Sequence, residues 1–103
     1  MSEFAETPQP PYYAVIFTSK RTEGDNGYGG MADLMVKLVS EAPGFLGFES
    51  AREDIGITVS YWKDMESITS WKENIQHMEA QKLGKEKWYS DYKVRIAKVE
   101  SDH

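Results

Sequence analysis

Phe45 to Asp64, FLGFESAREDIGITVSYWKD, reads as two strands with almost nothing between them. FLGFESARE and GITVSYWKD are separated only by Asp54 and Ile55, so they form a hairpin around EDIG. In the second strand Ile57, Val59 and Tyr61 alternate with Thr58, Ser60 and Trp62, giving one apolar face and one mixed face that ends in a tryptophan. Gly47, inside the first strand, marks a bulge or a close backbone approach.

Outward from the hairpin the period changes on both sides. Upstream, Leu34, Met35, Leu38, Val39 and Ala42 form one apolar stripe on a helix over Met31 to Ala42, which Pro43-Gly44 stops. Before it, Gly24, Gly27, Gly29 and Gly30 lack both the GxGxxG register and a following Lys, so the stretch reads as a flexible connection and not a phosphate cradle. Downstream, Asp64 is an N-cap for a helix running into MESITSWKENIQHMEAQKLGKEKW, with Glu66 in its first turn. That run is long for one helix, and Asn74 and Gly84 are weak helix formers, so a break is expected within it. The outermost segments, YYAVIFTSK (12 to 20) and YSDYKVRIAKVES (89 to 101), are β-branched, aromatic and alternating.

The order strand, helix, strand, strand, helix, strand is the split βαβ arrangement, a ferredoxin-like α+β fold. It has a four-stranded antiparallel sheet with both helices on one face. Residues 12–103 form this domain, and residues 1–11, with three prolines and no apolar period, form a disordered or extended arm. The first strand is apolar on both sides and the third carries apolar residues on both, so the sheet face opposite the helices needs cover. A second copy packed face to face provides it, and a homodimer is expected.

Composition narrows the chemistry. A chain of 103 residues with 17 acidic and 12 basic side chains, net −5, has no clustered basic surface for nucleic acid or an anionic membrane. Cysteine is absent, which removes disulfides, thiolate nucleophiles and Cys-based zinc or iron–sulfur sites. The N-terminal residues lack a charged n-region and an apolar h-region, and no run of about 18 apolar residues occurs, so a cytoplasmic location is expected. No GxSxG elbow and no dinucleotide fingerprint is present.

On a straight second helix Ile68, Trp71, Ile75 and Met78 fall within about 80° of one another and form the core stripe. The other side carries Ser67, Ser70, Asn74, His77 and Gln81, polar but uncharged. Solvated faces usually carry Lys and Glu, so a neutral amide and imidazole stripe fits the wall of a pocket. There His exchanges a proton near neutrality and an amide orients a carbonyl or hydroxyl. An ordinary exposed face, or a helix broken at Asn74, gives the same pattern. No second histidine lies near enough to His77 for metal ligation.

PGFLGFES (43–50), ITVSYWKDMESITSWKENIQHMEAQKLG (57–84) and WYSDYKVRIAKVE (88–100) together resemble the antibiotic biosynthesis monooxygenase superfamily, in particular its small stand-alone bacterial members. The resemblance implies a dimeric α+β barrel. It also implies oxidation of a phenolic or quinone-type aromatic molecule by O2 without metal, flavin or haem, with a base or hydrogen-bonding group to form the phenolate. Trp71 matches the family's helix tryptophan, His77 and Asn74 stand as catalytic candidates, and Trp62, Gln81, Trp88 and Tyr92 as substrate-binding ones. A haem-degrading branch carries an Asn on its first strand and a His ten residues after the helix Trp. Here Phe17 and Gln81 stand at those places and His77 comes four residues early, which disfavours haem. A non-catalytic dimeric module that binds a small ligand is the reading from another class, since this scaffold serves many functions.

Overall fold

The protein is described here by a computed structural model, which covers residues 4–24, 27–77 and 88–103, with the side chains of Met31, Ile75, Gln76 and His77 outside that description. Its elements run β1 (Tyr12–Arg21), α1 (Tyr28–Ser40), β2 (Phe45–Arg52), β3 (Gly56–Trp62), α2 (Met65–His77) and β4 (Tyr89–Val99). The four strands lie in the order β2-β3-β1-β4, every pairing antiparallel, which is the ferredoxin-like topology expected from the hairpin outward. α2 runs unbroken through Asn74 to His77, so the break expected at Asn74 does not occur, while the stretch around Gly84 falls on residues 78–87, outside the described residues.

Register sorts the side chains into two faces. Reading from β2 to β4, one face carries the rows Phe45-Trp62-Tyr13-Lys98, Phe48-Ser60-Val15-Ile96, Ser50-Thr58-Phe17-Val94 and Arg52-Gly56-Ser19-Tyr92. Both helices rest on this face. Trp71 of α2 meets Trp62, and Tyr28 of α1 meets Tyr89, which itself packs on Phe17. α2 begins as its sequence dictates: the Asp64 carboxylate accepts from the Ser67 backbone N–H at 2.8 Å and from the Ser67 hydroxyl at 2.7 Å. α1 starts at Tyr28, three residues before the expected start at Met31, because the Tyr28 ring is anchored edge-on to Trp88 and Tyr89.

The opposite face carries Gly47-Tyr61-Ala14-Ala97, Glu49-Val59-Ile16-Arg95 and Ala51-Ile57-Thr18-Lys93. The N-terminal arm lies across its first row. Ala5 donates its backbone N–H to the Glu49 carboxylate at 3.0 Å, and the other Glu49 oxygen accepts from the Tyr61 hydroxyl at 2.6 Å. Gly47, with φ 152° and a register shift beside it, is where the arm comes close: a Cβ there would stand 3.0 Å from that of Ala5. The Tyr12 hydroxyl, which receives a bond from Thr7, donates to Asp102 at 2.6 Å, so residues from both ends of the chain meet over this edge. Tyr12 and Ala14 are buried as a result.

Candidate functional site

Two aromatic groups stand at opposite ends of the helix-side face. Phe48, Phe45, Trp62 and Trp71 form a continuous row, with neighbouring ring centroids 6.4, 5.3 and 6.3 Å apart. Trp62 is the best buried large side chain, 1% exposed, and its indole N–H donates to Ser60 at 2.9 Å. Four to eight residues along β1 from the Trp62 row, roughly 13 Å and more away, Phe17, Tyr92, Tyr89, Tyr28 and Trp88 form the second group. The Arg21 guanidinium lies 3.6 Å over the Tyr28 ring centre and donates to the Trp88 carbonyl at 3.1 Å, fixing the entry of β4.

Between the two groups the face is apolar yet open. Phe48, at the near end of the first group, and Val94 and Ile96 across the sheet from it are 39%, 45% and 48% exposed although they point to the side that carries the helices. Ser60, Thr58 and Ser50 interleave hydroxyls with them, the last two bonded to each other at 2.9 Å. Four strands at about 4.8 Å spacing make this floor about 14 Å across, enough for a molecule of two or three fused rings.

The expected site residues divide between these places. Trp71 and Asn74 line an open groove of about 410 Å³ at the seam of α1 and α2, with Ser67 and Ser70 beside them and Leu38 and Pro43 opposite. Three members of the neutral stripe therefore share one concavity. Trp62 lies behind Trp71 in the core, while Trp88, also buried, and Tyr92 belong to the second ring group. His77 is the last residue of α2, about 9 Å along the helix axis from Trp71, and its side chain is outside the described residues, as is the whole of Gln81.

The sequence reading passed over Tyr28, Tyr89, Ser19 and Arg52. The Tyr89 hydroxyl donates to that of Tyr28 at 3.4 Å; burial pushes the Tyr89 phenol up, the bond to Tyr28 adds to the shift, and the charges of Arg52 and Arg21 oppose it. Arg52, the last residue of β2, crosses β3 over Gly56 to Ser19 on β1. Its Nη2 donates to the Ser19 hydroxyl at 2.5 Å and its Nη1 faces the Ser19 carbonyl at 3.4 Å. A Cβ on residue 56 would occupy the guanidinium's place, so the glycine is what permits the crossing. Glycine opening a strand was the available signal, but register was needed to read it.

The chain is 50% identical over 102 residues to the uncharacterised protein YqjZ of Bacillus subtilis, covering 97% of this chain and 90% of YqjZ. It belongs to the YqjZ family. No family model matches it. It is 28% identical over 99 residues to the jasmonate monooxygenase ABM of Pyricularia oryzae, spanning 41% of that longer protein. The crystal structure of a candidate antibiotic biosynthesis monooxygenase from Chloroflexus aurantiacus superposes with a TM-score of 0.58 at 18% identity, covering 89% of this chain and 97% of the other. The YqjZ relative thus has the fold of the small stand-alone antibiotic biosynthesis monooxygenases. Among its described residues no helix is long and apolar enough to cross a membrane.

Proposed function

We propose that the protein is a monooxygenase that oxidises a flat aromatic, phenolic or quinone-type molecule with O2 in the cleft between the helices and the sheet. The observation that carries this reading is an apolar surface left open: Phe48, Val94 and Ile96 remain exposed, beside aromatic rings, on the sheet face that the helices occupy. Concave, mostly apolar surfaces with a few interleaved hydroxyls are how small ligands are held. The names of the Pyricularia and Chloroflexus proteins support the oxygenase class.

The proposed reaction balances without a cofactor. A base removes the phenolic proton, and the electron-rich phenolate passes electrons to O2. One oxygen atom enters para to the hydroxyl as a carbonyl; the other leaves as water with the displaced ring hydrogen and the phenolic proton. His77 serves as the base or orienting group, Asn74 and Trp71 shape the wall, and Gln81 completes the neutral stripe. The active form is a homodimer closed through Ile16, Ile57, Val59 and Ala97. The exposure of Ile57 on that face supports this.

The test is incubation of the purified protein with 1-naphthol under labelled O2. One O2 consumed and one labelled oxygen retained per 1,4-naphthoquinone formed is the expected result, with His77→Ala slowing turnover about 100-fold or more. Oxygen uptake no faster than in buffer would overturn the reading.

A further inference from the structure

The crossing of Arg52 over Gly56 satisfies the buried Ser19 hydroxyl, a task a neutral donor would meet as well without a charge. Immobilising so long a side chain costs rotamer freedom. The chain offers carboxylates at hand in Glu53 and Asp54, yet Asp54 faces Lys20 at 3.8 Å, and Arg52 has no carboxylate within salt-bridge distance among the described residues. It reaches instead to Ser19, 3% exposed, on the helix-side face. Of its five N–H donors two point at Ser19, which leaves three for another group. Tyr92 lies beside Ser19 in the same row, with its ring 5.8 Å from Phe17.

We propose that Arg52, held by Ser19, is a seat for a planar anion, and that the substrate carries a carboxylate that docks there while its flat body lies over Phe17 and Tyr92. A guanidinium fork matches a carboxylate in geometry and charge, and the neighbouring rings accept the apolar part. This rests on the reading of the helix–sheet cleft as the substrate site, and it narrows the substrate from aromatic molecules in general to aromatic acids.

Calorimetric titration of the whole chain with 2-naphthoate and with its neutral analogue 2-naphthamide tests the seat without requiring turnover. The wild type binds naphthoate about tenfold or more tightly than naphthamide. R52Q abolishes the preference by weakening naphthoate alone, and R52K, which keeps the charge but loses the fork, weakens naphthoate about threefold or more. Equal binding of the two probes by the wild type, no binding of either, or an unchanged naphthoate affinity in R52Q overturns the proposal. Should R52Q not fold, an R52K affinity equal to that of the wild type overturns it as well. Oxygen uptake with 1-naphthol separates the two readings. Uptake with no naphthoate preference sinks the seat alone, and preference without uptake sinks the oxidation alone.

Discussion

Trp71 meets Trp62 with ring centroids 6.3 Å apart and planes tilted by 32°, the contact that fastens α2 to the sheet. Trp62 is buried and Trp71 only half so, which separates their roles. Trp62→Ala leaves a void behind the helix and costs about 3–5 kcal/mol in urea unfolding. Trp71→Ala costs less and opens the groove at the helix seam. Equal losses for the two variants would show that α2 is not held chiefly through Trp62.

Glu49 joins the arm to the sheet, one oxygen on the Ala5 N–H and the other on the Tyr61 hydroxyl. Glu49→Ala removes both acceptors, lowers stability by about 1–3 kcal/mol and frees residues 4–11 for proteolysis. Cleavage in the arm at the wild-type rate would mean that its position does not depend on Glu49.

The same carboxylate reports through tyrosine ionisation. Burial, then the bond to Glu49, pushes Tyr61 from 10.0 up to about 12, and the bond to Asp102 raises Tyr12. A raised phenol stabilises the fold fully below its unfolded value of 10.0, and that contribution is lost as pH climbs through about 12. Absorbance at alkaline pH should therefore show a late class of tyrosines, with unfolding setting in as it titrates. In Glu49→Gln the Tyr61 step moves down towards, but not to, the ordinary value, since burial remains. An unmoved step would sever Tyr61 from Glu49.

How far the sequence could be read depended on the range of the contacts involved. The hairpin, the stop at Pro43-Gly44 and the Asp64 cap are decided within a few residues, and each is where local chemistry puts it. Gly47 announced a close approach but not its partner, because Ala5 is 42 positions away and carries no pattern of its own. Likewise Arg52 and Ser19, 33 residues apart, meet only because register sets both beside Gly56. α1 begins among glycines that disfavour a helix, since Tyr28 gains ring contacts from β4 that propensity does not register. The neutral stripe was legible as spacing, and its setting became so only when Ser67, Ser70 and Asn74 were placed against α1.

Asp64 accepts two bonds from Ser67, its side chain's bond first and the backbone's second, and these hold its carboxyl below the ordinary 3.8. A depressed carboxyl contributes stability above its unfolded value and loses it as pH falls through the lower folded one. Asp64→Asn keeps an N-cap but removes this titration. The variant and wild type should differ at neutral pH and converge below pH 3.8 in thermal melts. A difference constant down to the acid limb would show that the charge at residue 64 does not matter.

The sheet face away from the helices is apolar at one end. Ile57 is 45% exposed there, in a row with Ala51 and Thr18, and Ile16 and Val59 fill the adjoining row. The arm reaches the Gly47 and Tyr61 row through Ala5 and Glu49, which leaves the Ile57 end as the part a second copy would cover. A carboxylate placed there, two strands from Lys93 in its row, would lose its water in a face-to-face pair, a cost of several kcal/mol per ion. Ile57→Glu should therefore sediment as a monomer where the wild type, at tens of micromolar, sediments as a dimer. The isolated variant fold should survive, because Ile57 is already half in water. A wild type that stays monomeric at that concentration would show that the arm, and not a second chain, is the cover this face requires.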